Sequence, residues 1–276
     1  MPMPSFTLIV DTAQAHAFHS LGTPAPLSDA ALARLTFEAP ALPHWVRETT
    51  LRLNETQVTA MVLQQQNWSS MFFDMDSTVI REESIVELAR AAGKQREVHE
   101  ITERAMAGEL DFVSALRARV AMLRGVPASV IDRVKLSLTI NPGMHALARS
   151  AKIRGWRLFL VSGGFNPLAQ QIAQELGFDA YHANELEIKG EELTGQLLGS
   201  IVDAEAKAQF LRTTCSRLQL PLETAVVVGD GANDLPMLRL AGAAIGYHPK
   251  QVLLPHINGA NFYDHTALIY ALHLSD

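Results

Sequence analysis

The chain has 276 residues, 48% of them apolar and 19% charged, the make-up of an ordinary globular protein with room for one large α/β domain carrying an insertion, or for two domains. Its net charge of −6 argues against a nucleic-acid partner and leaves any anionic substrate to be attracted by a local site or a metal. One cysteine, Cys215, excludes an intrachain disulfide, and no apolar run reaches the ~18 residues of a membrane span.

The N-terminus lacks the basic and apolar pattern of a secretory signal, so a cytoplasmic protein without a membrane partner is the expectation. Residues 1–68 read as a small α+β unit. Within it, 6–10 is a short apolar strand, Ser28 and Asp29 cap a helix running to Leu35, 49–53 alternates as a second strand, and 56–66 is helical. Pro26, Pro40 and Pro43 punctuate these pieces. Nothing in the unit carries chemistry, which assigns it an accessory or interface role; a homodimer through it is one arrangement open to the chain.

Residues 71–73 form a compact apolar strand that runs into Asp74-Met75-Asp76-Ser77-Thr78. From Ser84 to Leu138 the spacing is helical throughout, in segments 84–92, 95–107, 111–124 and 127–138 separated by Gly93, Gly108 and Gly125-Val126-Pro127. Strand–helix alternation resumes after Asn141-Pro142-Gly143. A helix to Ile153, a strand at 157–161, a helix at 167–176 and a hairpin within 185–200 come first. A helix at 204–218, a strand at 225–228, a short helix to Leu240, a strand at 243–246 and a helix after His265 complete the series. Cys215 falls in the 204–218 pattern as a structural thiol. The pattern predicts an α/β fold, a doubly wound and mainly parallel sheet interrupted by an all-helical insertion, with ligands bound past the carboxyl ends of the strands.

The chemistry-bearing residues lie at those ends. Asp74 and Asp76 follow one buried strand, and their mutual repulsion calls for a bound cation or a shared proton. Asp230, Asn233 and Asp234 follow another, making an oxygen-rich site suited to Mg²⁺ and unsuited to soft metals. Ser162-Gly163-Gly164, between a strand and a helix, offers a hydroxyl and free backbone N–H groups to a phosphate, or is simply a tight turn. Lys207 stands near a helix start, unfavourable for a cation unless an anion faces it. No G-x-x-x-x-G-K-[ST] run is present, so a P-loop is excluded.

In this order, these pieces resemble the haloacid-dehalogenase superfamily of phosphotransferases. The likeness rests on Asp74-Met75-Asp76-Ser77-Thr78, Ser162, Lys207 and Gly229-Asp230-Gly231-Ala232-Asn233-Asp234, and with the helical insert spans about 70–246. It narrows toward the phosphoserine phosphatase family on Glu83, on Ala105-Met106-Ala107-Gly108 leading to Asp111-Phe112, and on Leu116-Arg117-Ala118-Arg119-Val120. Ser162-Gly163-Gly164-Phe165 and the hairpin Leu186-Glu187-Ile188-Lys189 with Leu193-Thr194-Gly195 add to it. The resemblance implies a Rossmann-like core over 69–83 and 141–276, a cap over 84–140, and a divergent ACT-like unit over 1–68, shorter than that of many relatives. It implies hydrolysis of O-phospho-L-serine to L-serine and phosphate, the last step of serine biosynthesis, through an aspartyl-phosphate.

The roles implied are specific. Asp74 is the nucleophile and Asp76 the acid and base. Mg²⁺ is held by the Asp74 carboxylate, the Asp76 carbonyl and Asp230, with Asp234 in support. Ser162, Gly163, Gly164 and Lys207 take the phosphoryl oxygens, and Asn233 orients Lys207 or the nearby loop. In the cap, Arg119 takes the substrate carboxylate, Glu83 its ammonium, and Met106 and Phe112 close an apolar wall. From the residues alone, Arg119 reads rather as part of a solvated face with Arg117 and Arg124. The chain departs from the family at Val86, where relatives often carry an acid. Two rivals stay open: the same core acting on another phosphate ester or passing phosphoryl to an alcohol, and a phospho-accepting receiver module, which Asp76 and the helical insert disfavour.

Overall fold

A computed structural model describes residues 3–27, 31–106 and 108–274. The N-terminal segment gives strands β1 (Ser5–Asp11), β2 (Ala25–Pro26) and β3 (Leu32–Glu38), helix α1 (His44–Glu55) and strand β4 (Ala60–Gln64). Only the first strand matches the expectation from sequence.

Ser28 and Asp29 lie outside the described residues, and the expected helix to Leu35 is instead the start of β3. There Ala33, Leu35 and Phe37 are buried at a period of two, against β1. The 49–53 segment belongs to α1, whose buried Val46, Thr49, Thr50 and Asn54 recur at three to four residues. The 56–66 segment contains β4, in which Ala60, Met61, Val62 and Leu63 are all buried. A strand covered on both faces shows no alternation, which is why its pattern misled.

The core begins with β5 (Ser70–Phe73), four fully buried residues. Helices α2 (Ser84–Ala91), α3 (Gln95–Met106), α4 (Phe112–Ala121) and α5 (Val130–Ser137) form the insertion. Then follow α6 (Met144–Ile153), β6 (Arg157–Phe165), α7 (Asn166–Leu176), β7 (Ala180–Lys189), β8 (Glu192–Leu198), α8 (Ala204–Leu218), β9 (Ala225–Gly229), α9 (Leu235–Leu238), β10 (Ala243–Tyr247), β11 (Gly259–Asn261) and α10 (Thr266–Ala271). No helix among the described residues is long and apolar enough to cross a membrane.

All strands share one sheet in the order β2-β3-β1-β4-β11-β10-β9-β5-β6-β7-β8. The run from β11 to β7 is parallel, as a doubly wound core requires. Beyond it, β4 joins β11 antiparallel, with Met61 opposite Gly259, where a Cβ would meet the β4 backbone at 2.3 Å. The N-terminal unit therefore continues the core sheet. Its Ile9, Leu32, Met61 and Leu63 also share a hydrophobic core with Phe73 and Leu268.

From β5 the chain passes to β6 on one side and later to β9 on the other. This reversal opens a crevice at the carboxyl end of β5. The helical insertion covers the crevice. Its two crossings to the core are bridged at Ile80 and Ile140, and the β7–β8 hairpin braces it through Gly125 N–H to the Leu193 carbonyl and Leu193 N–H to the Val126 carbonyl, both 2.9 Å.

Candidate active site

Asp74 is the first residue past β5 and is buried. The turn after it carries Ser77 in the left-handed region at φ 57, a conformation that a non-glycine residue adopts only when its surroundings enforce it. Below the turn, the Thr78 carbonyl accepts from Asn141 Nδ2 at 2.8 Å and pairs with His265 Nε2 at 2.9 Å. Burial pushes His265 down to about 4, so this support is a neutral imidazole at ordinary pH.

Lys207 Nζ sits 2.7 Å from Asp74 Oδ1 and 2.8 Å from Asp234 Oδ1, with all three side chains buried. A buried ammonium between two buried carboxylates is held charged, and burial is offset by Asp234 and Asp74, whose charges raise the Lys207 pKa. Asp234 Oδ2 accepts from the Asp230 and Gly231 amides at 3.1 and 3.2 Å, closing the loop after β9. Gly229 permits that closure, since a Cβ there would stand 2.4 Å from Asp234 Oδ2. Asn233 lines the cavity, and its Oδ1 lies 2.6 Å from where a Gly231 Cβ would be. Of the two roles open to Asn233, the geometry favours the loop, because Asp234 and Asp74 are the groups that hold Lys207.

Asp74, Asp230 and Asp234 each bring a carboxylate oxygen within 4.8 Å of the others. Burial, then the Asp234 charge, raises the Asp74 carboxyl well above its ordinary range, and burial raises Asp230. Three buried acids with oxygen-only donors fit a hard divalent cation, which would relieve that repulsion.

Asp76 faces the same cavity. Its Oδ2 accepts from the Ser84 amide at 3.0 Å and the Ser84 hydroxyl at 2.7 Å, while Oδ1 is sealed from solvent without a partner. Burial, then the nearby Glu83 carboxylate, pushes Asp76 up to about 7, against the opposing Ser84 hydrogen bonds. A carboxyl titrating there can hold a proton in one step and accept one in the next.

Ser162, Gly163 and Gly164 end β6, which runs on to Phe165, further than the sequence suggested. Ser162 Oγ accepts from the Gly164 amide at 2.8 Å. Asn184 on β7 fixes the strand end, donating to the Gly163 carbonyl at 2.8 Å and accepting from the Val202 amide at 2.8 Å. A Cβ on Gly164 would lie 2.5 Å from Ser84 Oγ, and one on Gly163 would lie 3.1 Å from the Phe112 ring, so cap and core meet here without room to spare.

Across a cavity of about 430 Å³, the cap contributes Phe112, Arg119 and Leu116 opposite Asp74 and Asp76. Arg119 is half-buried and donates through Nε to the Ala115 carbonyl at 3.3 Å, whereas Arg117 and Arg124 are exposed. The solvated-face reading of Arg119 is therefore set aside. Burial pulls its pKa down, and the Glu83 and Asp76 charges oppose this. Glu83 stands exposed at the cavity edge, accepting from the Ser77 hydroxyl at 2.9 Å. Met106 ends α3, and its side chain lies outside the described part of the structure.

Sequence reasoning missed Ser84, Asn184 and Lys250. Ser84 reads as a helix start, yet α2 receives no side-chain cap from its N-cap Glu83, and the serine serves Asp76 instead. Lys250 belongs to no motif but reaches Asp230 at 3.2 Å.

A core of this fold is found again among known proteins. The model of the haloacid dehalogenase-like hydrolases matches residues 71–239, and the chain belongs to that family. It is 42% identical over 196 residues to a phosphoserine phosphatase of Streptomyces coelicolor, covering 71% of this chain and 48% of that one. The chain spans about half the length of this protein and of three further curated relatives named phosphoserine phosphatase. Among solved structures, a HAD family hydrolase from Salmonella enterica serovar Typhi superposes with a TM-score of 0.87 at 29% identity, covering 98% of both chains. An unliganded probable phosphoserine phosphatase from Vibrio cholerae gives 0.79 at 30% identity, covering 98% of this chain and 87% of that one.

Proposed function

We propose that this chain is a Mg²⁺-dependent phosphoserine phosphatase that hydrolyses O-phospho-L-serine to L-serine and phosphate through a phosphorylated Asp74. The observation that carries the reading is one cavity lined by Asp74, Asp76 and Asp230, with Lys207 and Asp234 buried behind Asp74 and the opposite charges of Arg119 and Glu83 at its cap side. Those two charges match the carboxylate and ammonium of an amino acid, and the floor matches a phosphate ester. The names of the relatives support the same substrate.

In the first half-reaction, an Asp74 carboxylate oxygen forms a bond to phosphorus as the bond from phosphorus to the serine oxygen breaks. Lys207 and the Met75 amide both engage Asp74 Oδ1 at 2.7 Å, which holds that oxygen in place. Asp76, carrying a proton near neutrality, gives it to the departing serine oxygen. In the second half, the Asp76 carboxylate takes a proton from water as the water oxygen attacks phosphorus, releasing phosphate and restoring Asp74. Asp74, Asp230 and the Asp76 carbonyl would hold Mg²⁺, with Asp234 in support; when bound, the ion supplies positive charge to the transferring phosphoryl oxygens. Ser162, the backbone at Gly163 and Lys207 add hydrogen bonds and charge to the same oxygens. Phe112 lies against Gly163 and puts an apolar surface beside the phosphate end of the cavity.

Phosphate release from a panel of phosphomonoesters, with and without Mg²⁺, tests this reading. Phosphoserine is expected to exceed phosphoethanolamine and 3-phospholactate in kcat/KM at least tenfold, with release lost in EDTA. Equal turnover of the three esters, or undiminished release in EDTA, would refute it.

A further inference from the structure

Two lysines reach the acidic floor of the cavity, and they differ in kind. Lys207 is buried and locked between Asp74 and Asp234, whereas the side chain of Lys250 is 66% exposed and touches one carboxylate, Asp230 Oδ2, at 3.2 Å. The loop that delivers Lys250 is built tightly. His248 turns the chain after β10 at φ 40, and Pro249 packs where a Gly246 Cβ would stand 2.7 Å away. The Lys250 amide donates to the Asp230 carbonyl at 2.8 Å. These backbone contacts fix the base of the side chain whatever group it carries, while the largely exposed side chain lines the cavity wall.

The charges explain why such a residue is useful. Asp74, Asp230 and Asp234 face two ammonium groups, so a divalent cation that ligates Asp230 meets a competing charge on the same carboxylate. An incoming phosphate ester brings the opposite charge into the same cavity.

We propose that Lys250 is a positioning residue that changes partner during binding. It holds Asp230 before the cation arrives, yields that carboxylate to the cation, and turns to the phosphoryl oxygens of the substrate. Lys250 thereby weakens cation binding to the substrate-free protein and strengthens binding of the phosphate group. This rests on the cation-and-phosphate reading of the site given above.

The test uses the full chain and its K250M and K250R variants, with Mn²⁺ as the cation probe, followed by loss of the free-ion paramagnetic signal. Without substrate, K250M should bind Mn²⁺ about threefold to tenfold more tightly than the wild type, the scale of one partly solvated charge. With phosphoserine the same variant should raise KM by a similar factor, and by more than it lowers kcat. K250R should stay near the wild type in both. Effects of opposite sign are the signature, because a site that is merely loosened would lose both affinities together. Unchanged or weaker Mn²⁺ binding in K250M, in a wild type that binds the ion, overturns the role of Lys250 alone. A wild type that binds no Mn²⁺ overturns the cation reading and this inference with it. If phosphoserine is not turned over, affinity of the Mn²⁺-loaded protein for inorganic phosphate reads the second effect, and K250M must bind phosphate more weakly.

Discussion

Ser84 opens the first cap helix and donates twice to one oxygen of Asp76, through its hydroxyl at 2.7 Å and its amide at 3.0 Å. The group proposed for proton transfer is thus oriented by the element that helps to line the cavity. Because these bonds stabilise the ionised carboxylate, Ser84→Ala should raise the Asp76 pKa from about 7. The alkaline limb of kcat/KM should move up by about one to two pH units, the scale of one hydrogen bond to a charged group. A pH–rate profile for Ser84→Ala that overlays the wild type would disconnect Ser84 from Asp76.

Replacing Asp76 itself should show in stability as well as in rate. Its folded pKa of about 7 lies above the ordinary value of 3.8, so the native state binds more protons than the unfolded chain between those values. Its contribution to stability is therefore present below about pH 4, falls as pH rises through that window, and levels off above about 7. Asp76→Asn removes the slope. In EDTA, the stability of the variant relative to the wild type should rise by roughly 3–4 kcal/mol from pH 4 to pH 8. Urea melts across that range check it; a difference independent of pH would mean that Asp76 is not raised.

Gly164→Ala should damage both fold and activity. The added methyl would lie 2.5 Å from Ser84 Oγ, 2.9 Å from Met75 Cε and 3.0 Å from Ser162 Oγ, so Ser84 must leave Asp76 or the strand end must shift. Overpacking of this kind costs roughly 1–3 kcal/mol. Turnover should fall more than tenfold, and urea unfolding should show the loss in stability.

The segments that were legible in the sequence share a physical cause. Asp74, Ser162 and Asp230 stand at the ends of buried parallel strands, where runs such as Met71-Phe72-Phe73 and Ala225-Val226-Val227-Val228 have no competing helical reading. The cap helices were equally plain, because glycines separate them. The N-terminal unit was misread because its short pieces satisfy two periods at once: Leu51 and Leu53 alternate with Arg52, yet Val46, Thr49, Thr50 and Asn54 make the buried helical face. Ser84, Asn184 and Lys250 act through contacts between residues 8 to 21 positions apart, and such contacts leave no local pattern.

Arg119→Ala tests how the amino-acid end is read. Loss of a charge-assisted contact to the substrate carboxylate, worth roughly 1.5–3 kcal/mol, corresponds to about a tenfold to hundredfold fall in kcat/KM for phosphoserine. Phosphoethanolamine lacks that carboxylate and should change little. Equal loss for both esters would assign Arg119 to the cap's structure.

The nucleophile is tested most directly by acid-quenching the Mg²⁺-loaded protein within its first turnovers of ³²P-phosphoserine and mapping the label. Radioactivity should appear on the peptide that carries Asp74, be released by hydroxylamine as an acyl phosphate is, and be absent from Asp74→Asn. Phosphate released at full rate with no label on the protein, or a label mapped to another residue, would contradict covalent catalysis by Asp74.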